Sequence, residues 1–198
     1  SPNGEWLAFI SNRSDPKGDL YILPLKFAAP IKGIDNAQRL TDGKTQDKNP
    51  TWSTDGKFIY YSTKSSGSFE TQINKIDIET KIETKVDKVQ GLNPSVSHDG
   101  RYLAFVSKKR GVNPSIWVKD LKTNSLVQIT KGTDIDVSPN WSPDGKEIFF
   151  ARYRDDTNRD GAVTIEDRPN IWSVSFPTSK LPTQLTDSSA YDLFPQAS

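Results

Sequence analysis

Short apolar runs recur along this chain, each starting two residues after an Asn-Gly or Asp-Gly pair. They read WLAFI at Trp6–Ile10, FIYYS at Phe58–Ser62, YLAFV at Tyr102–Val106 and EIFFA at Glu147–Ala151. Alternating runs this short, bounded by polar turn residues, predict strands. After a polar loop a second run follows each of them: DLYILPL (Asp19–Leu25), QINKIDI (Gln72–Ile78), SIWVKDL (Ser115–Leu121) and NIWSVSF (Asn170–Phe176). A shorter strand then ends on a signature, Gln38-Arg39-Leu40-Thr41, Val127-Gln128-Ile129-Thr130 and Thr183-Gln184-Leu185-Thr186. In the second repeat Thr84–Val86 takes this place without the Leu/Ile-Thr ending. No helix-length window carries a 3.6-residue apolar stripe with caps, so the chain reads as all-β.

One phrase precedes the runs: PTWSTDG at Pro50–Gly56, PSVSHDG at Pro94–Gly100 and PNWSPDG at Pro139–Gly145. The chain opens on its back half, SPNG, and closes on its front half, PQAS. Its Pro-x-Trp-Ser part predicts a short first strand. Its Asx-Gly pair predicts a two-residue type I′ hairpin turn, which needs φ > 0 at both positions. The glycines fall at Gly4, Gly56, Gly100 and Gly145, a period of about 45 residues containing only strand signals, as a four-stranded antiparallel β-propeller blade requires. The repeats are 1–49, 50–93, 94–138 and 139–194, with 195–198 starting the next. About four repeats are present, expected to be an arc of a six- to eight-bladed ring. The alternative is a closed ring of four, with Pro195–Ser198 pairing with Trp6–Ile10. Two repeats carry extra length at the rims, where insertions are tolerated and function often resides. One is Lys26–Ala37, between the third and fourth strands of the first repeat; the other lies between the second and third strands of the fourth. The absence of Met, even at position 1, and the ragged repeat ends lead us to expect a piece of a longer chain.

Composition changes this picture little. Apolar content is only 33%, yet five Trp, nine Phe and six Tyr argue against disorder, and half-buried strands need few apolar residues. The 26 basic and 25 acidic residues create no global field for nucleic acid or anionic lipid. No apolar run of membrane-spanning length and no signal-peptide pattern is present. The absence of Cys excludes disulfides and thiolate metal sites.

PNWSPDGKEIFF followed by NIWSV and QLT resembles the repeat of TolB-type β-propellers, shared with the propeller domains of tricorn and prolyl oligopeptidase-like peptidases. The resemblance covers essentially all 198 residues; it is specific for fold and unspecific for function. It implies a toroid with the Pro-x-Trp-Ser strands lining the axis and a partner or substrate bound at one face. Val96 and Ala197 stand where Trp is usual, and His98 replaces Pro, Thr or Ser.

The fourth-repeat insertion contains DTNRDGAVTIED, Asp156–Asp167. Read as a twelve-residue calcium loop, it places oxygen donors at positions 1, 3, 5, 7, 9 and 12 and glycine at 6. Asp156, Asn158, Asp160, the Ala162 carbonyl, Thr164 and Asp167 fill those positions, with Gly161 at the turn. Asp167 stands where an EF-hand has Glu, a departure that looks like the calcium loops of dockerins and other extracellular bacterial modules. Flanking strands argue for a structural Ca²⁺, not a sensor that opens a helix pair. The competing reading is a solvated acidic loop without metal.

An Asp stands three residues before the repeat proline at Asp47, Asp136 and Asp192, with Gly91 in the other repeat. These carboxylates read as caps of the turn into each strand, or as an acidic ring for a cation or basic segment. Trp52, Trp141, Trp117 and Trp172 sit at repeat positions that predict packing between blades. Lys108-Lys109-Arg110 reads as solvated loop charge and His98 as a surface residue. There is no GxSxG elbow and no HExxH, and clustered basic-aromatic motifs for nucleic acid are also absent. The expectation is a non-enzymatic protein- or peptide-binding scaffold, periplasmic or extracellular in a bacterium, docking its partner on one rim. The alternative is the gating propeller of a larger serine peptidase.

Overall fold

Every apolar run named above is a strand in the computed structural model, which describes residues 1–25, 36–108, 113–177 and 181–196. Most of Lys26–Ala37, Lys109, Arg110 and Ala197 lie outside the described residues. Strands β1 (Trp6–Ser11), β2 (Asp19–Pro24) and β3 (Gln38–Arg39) form a three-stranded antiparallel sheet. Strands β4 (Thr45–Trp52), β5 (Phe58–Ser65), β6 (Gln72–Asp77) and β7 (Glu83–Gln90) form a four-stranded one in chain order. So do β8 (Leu92–Val96), β9 (Tyr102–Ser107), β10 (Ser115–Asp120) and β11 (Leu126–Gln128). The last sheet is β12 (Ile135–Trp141), β13 (Glu147–Tyr153), β14 (Asn170–Ser175) and β15 (Thr183–Gln184). No helix among the described residues is long and apolar enough to cross a membrane.

The chain forms two compact units, Ser1–Pro94 and Ser95–Ser198. In the first, Leu20 and Ile22 of β2 pack with Ile59, Tyr61 and Ile76, flanked by Trp6, Ile10 and Trp52. In the second, Ile116 and Val118 of β10 pack with Trp141, Ile148, Phe150, Trp172 and Val174. Both cores use alternate residues of the central strands, as a period of two demands.

The Leu/Ile-Thr signature has a structural cause. The hydroxyls of Thr41, Thr130 and Thr186 accept the amide hydrogens of Leu20, Ile116 and Ile171, each at 2.9 Å. A fourth strand of two or three residues is thereby extended by a side chain, and a buried N–H in the third strand is satisfied. The second repeat lacks the threonine, and there β7 runs eight residues to pair Gln90 with Gln72. Thr130 is 1% exposed. Thr130→Val keeps its shape and orphans the Ile116 N–H, so it is expected to cost about 1–3 kcal/mol in urea unfolding; a change within error would remove this role.

The hairpin turns differ from expectation. The glycines have positive φ, +70° at Gly4 and Gly56, +72° at Gly100 and +69° at Gly145, while Asn3, Asp55, Asp99 and Asp144 do not. The loop is therefore a type I turn closed by a left-handed glycine, not a type I′ pair. Ser53 explains why: its carbonyl accepts from Gly56 N, and its Oγ donates to Asp55 Oδ1 and accepts from Phe58 N. Asp55 Oδ1 also takes Lys57 N, a two-residue Asx closure that holds Asp55 at negative φ. Ser97–Asp99 and Ser142–Asp144 repeat these contacts. The serine hydroxyl first, then the backbone N–H, lowers each of these carboxyl pKa values below the ordinary aspartate value.

A bulge sits just before two repeat prolines. Register shifts between Lys48 and Thr51 and between Val137 and Asn140, where Asn49 and Ser138 take φ of 52° and 55°. One extra residue turns the strand over, so residues five apart can share a face. Asp47, opposite Thr63, thus points to the same face as Trp52, opposite Ile59. Asp136, opposite Arg152, likewise shares a face with Trp141, opposite Ile148.

Candidate functional site

The insertion joins β13 to β14 in the second compact unit, and one residue organises it. Asp167 has no exposed surface. Its Oδ1 accepts from Thr157 N (2.7 Å), Thr157 Oγ1 (3.1 Å) and Asn158 N (3.1 Å), and its Oδ2 accepts from Thr164 N (2.7 Å). The Thr164 amide is the largest cause of a carboxyl pKa held below its ordinary value, and the Asn158 and Thr157 amides add to it. Arg168 N donates to Thr157 Oγ1, closing the base of the loop.

The other half is a tight turn. Asp156 Oδ1 accepts from Asp160 N and Oδ2 from Gly161 N, Asn158 Oδ1 accepts from Asp160 N, and Asp160 Oδ1 accepts from Ala162 N. Gly161 supplies the φ of +93° that this wrapping needs. The six expected calcium donors therefore fall into two groups. Asp156, Asn158, Asp160 and Ala162 gather round one turn; Thr164 and Asp167 belong to the buried knot beneath it. Among the described residues no three His, Cys, Asp or Glu side chains converge as a metal set; both Asp167 oxygens accept backbone N–H groups.

The insertion is tied to the segment after β15. Arg168 Nη1 donates to the Ser189 carbonyl at 2.6 Å, Tyr191 Oη to the Glu166 carbonyl at 3.0 Å, and Asp192 N to the Pro169 carbonyl at 3.2 Å. At its base the Arg154 guanidinium lies 5.6 Å from the Trp172 ring. Two apolar side chains stand outward among exposed polar ones such as Arg154, Asn158, Arg159, Asp160 and Glu166: Ile165 is 68% and Tyr191 59% exposed. Arg168 and Tyr191, separated in sequence from their partners, carried no signal in the chain alone.

The aspartates before the repeat prolines are neither turn caps nor an acidic ring of one kind. Asp47 accepts from the hydroxyls of Thr45 and Thr63; Asp136 accepts from Arg152 Nε and Nη2 at 2.6 and 2.9 Å. Asp192 lies outside the strands and accepts from Ser188 Oγ. The bulge is the cause, since it draws Asp47 and Asp136 into the strand and the core. Their backbone N–H groups do recur in role. Asp47, Gly91, Asp136 and Asp192 donate to the carbonyls of Gly18, Thr71, Pro114 and Pro169, each the residue just before the preceding repeat's third strand. His98 is exposed. Trp117, Trp141 and Trp172 are buried and Trp52 half-buried, as packing requires.

Residues 67–165, half of the chain, match the TolB beta propeller domain. The chain belongs to the TolB beta propeller domain family. This TolB-type propeller is 30% identical over 158 residues to YuxL, an uncharacterised peptidase of Bacillus subtilis, covering 80% of the chain and 22% of that protein. It is 36% identical over 84 residues to the Tol-Pal system protein TolB of Francisella tularensis, covering 41% of the chain and 19% of that protein. Among solved structures it resembles TolB from Acinetobacter baumannii, with a TM-score of 0.72 at 22% identity over 98% of the chain and 44% of that one. It spans less than half the length of each of these three, and the structural likeness, at such identity, concerns the fold.

Proposed function

We propose that this TolB-type propeller is a protein- or peptide-binding scaffold, working in the periplasm or outside the cell, that docks its partner on the rim carrying the 154–169 insertion. One observation carries this reading: the insertion is anchored by buried Asp167 and by Arg168, while its Ile165 and the Tyr191 that bonds its Glu166 carbonyl are exposed. An anchored surface that presents an aliphatic and, from the adjoining segment, an aromatic side chain loses little entropy on binding. The name of the Francisella relative, a Tol-Pal system protein, supports a protein partner. A photo-crosslinking residue at Ile165 in the intact protein, in cells, is expected to yield one dominant protein adduct, lost on Tyr191→Ala. Equal labelling from an unrelated exposed site such as Lys81 would sink the reading.

A second reading, the gating propeller of a larger peptidase, is favoured by the 30% identity to YuxL. A nucleophile elbow with downstream Asp and His in the complete gene product would decide for it.

The insertion is also proposed to take Ca²⁺, a hard ion suited to the carboxylate and amide oxygens of Asp156, Asn158 and Asp160, the Ala162 carbonyl, Thr164 and Asp167. Asp167 would exchange backbone N–H groups for metal. Calorimetric titration of metal-stripped protein is expected to show heat with Ca²⁺ and a melting temperature raised by about 5 °C at a hundredfold excess over Kd. Asp156→Asn with Asp160→Asn should abolish both; absence of heat in the unmutated protein rejects the site.

A further inference from the structure

The second sheet buries a carboxylate with no ion-pair partner among the described residues. Asp47 has no exposed surface, and its Oδ2 has no hydrogen-bond partner. Gln72 Oε1, also an acceptor, is buried and unpartnered as well. The two residues lie in one cross-strand row, Asp47 opposite Thr63 and Thr63 opposite Gln72, with side chains on the same face. Asp47 leans along that row, because its Oδ1 accepts from Thr63 Oγ1 at 2.7 Å and from Thr45 Oγ1 at 2.8 Å.

The same row in the last sheet shows what is missing. There Asp136 faces Arg152 and Arg152 faces Asn170, and the guanidinium binds both oxygens of Asp136. In the first sheet the buried Asp19, at the position of Gln72, has Arg39 Nη2 2.7 Å from its Oδ2. At the corresponding place before Pro94 stands Gly91, which has no carboxylate. Asp47 alone has a threonine where its counterpart has arginine, and none of the ion pairs among the described residues involves it. A buried charge without a partner either neutralises or acquires an opposite charge.

We propose that Asp47 Oδ2 and Gln72 Oε1, with the hydroxyl oxygens of Thr45 and Thr63, form a binding site for a small hard cation, Na⁺ or Ca²⁺, inside the second sheet. Carboxylate, amide and hydroxyl oxygens are the donor set such ions choose, and no soft ligand is present. The ion would do for Asp47 what Arg152 does for Asp136.

The test is thermal unfolding of the protein carrying Asp156→Asn and Asp160→Asn, which removes the insertion loop as a source of calcium effects. Melting is compared in NaCl, CaCl₂ and choline chloride at equal ionic strength. The melting temperature is expected to rise by about 5 °C in the salt of the bound ion relative to choline. The difference between the Na⁺ and Ca²⁺ arms identifies the ion. Asp47→Asn, or Thr63→Arg to copy the Asp136–Arg152 pair, should erase that rise. Equal melting in all three salts overturns the site, as does a rise that survives Asp47→Asn. Stability that grows on acidification without any cation effect assigns a proton on Asp47, donated to Gln72 Oε1, and overturns it too.

Discussion

Asp136→Ala is expected to lower the unfolding free energy by about 3–5 kcal/mol, because it leaves a buried guanidinium without its main partner. Arg152 is 6% exposed and contacts both oxygens of Asp136, at 2.6 and 2.9 Å. Asp134, 3.2 Å from Arg152 Nη1 and 27% exposed in its side chain, would hold part of the charge, which places the loss toward the lower end. In melting temperature this is on the order of 10 °C for a chain of this size. Replacing both residues, Asp136→Leu with Arg152→Met, should recover most of the loss, since the desolvation cost of the pair disappears with its attraction. Urea titrations of the two single variants and the double variant close the cycle. A loss below about 1 kcal/mol in Asp136→Ala would show that the pair behaves as a surface one.

Trp141→Ala should have a similar effect by a different route. The ring is 5% exposed and packs edge-on against Phe176 at 5.0 Å and tilted against Tyr102 at 6.1 Å. Its Nε1 donates to the Ser95 carbonyl at 3.1 Å, so it stitches the start of one repeat to the start of the next. Truncation removes a large apolar area and leaves a cavity, about 3–5 kcal/mol. Trp141→Phe keeps most of the packing and loses the hydrogen bond, about 1–2 kcal/mol. Trp52→Ala, at the equivalent but half-buried position, should cost less than Trp141→Ala. Equal losses at the two positions would mean that repeat position, not burial, sets the energy.

The candidate site was partly legible. The insertion declared itself as added length in a repeat of known period, and its Asx-rich turn was visible in the order Asp156, Asn158, Asp160, Gly161. The role of Asp167 was not, because sequence spacing cannot tell a carboxylate aimed at a metal from one that gathers backbone N–H groups. Both need the same residue at the same place, and the N–H bonds from Thr157, Asn158 and Thr164 follow from the path of the loop, which spacing does not give. The anchors Arg168 and Tyr191 were invisible because their partners are carbonyls, which every residue has.

Local physics explains what the chain alone determined. Alternation, Asx-Gly turns and a period near 45 residues are local signals, and they sufficed for strand order, sheet composition and membership of the propeller repeat. The Thr of the fourth-strand signature was also readable as a repeated residue, though not as the side chain that completes a ladder. Tertiary structure decided the rest. The bulge before Pro50 and Pro139 adds one residue and so reverses which face the preceding Asp occupies. Alternation counted along the sequence is blind to that reversal, because one unpaired residue changes the parity of everything beyond it. Whether an Asp thus turned inward meets Arg152 or Thr63 depends on the residue opposite it on the neighbouring strand, and register is settled between strands, not within one.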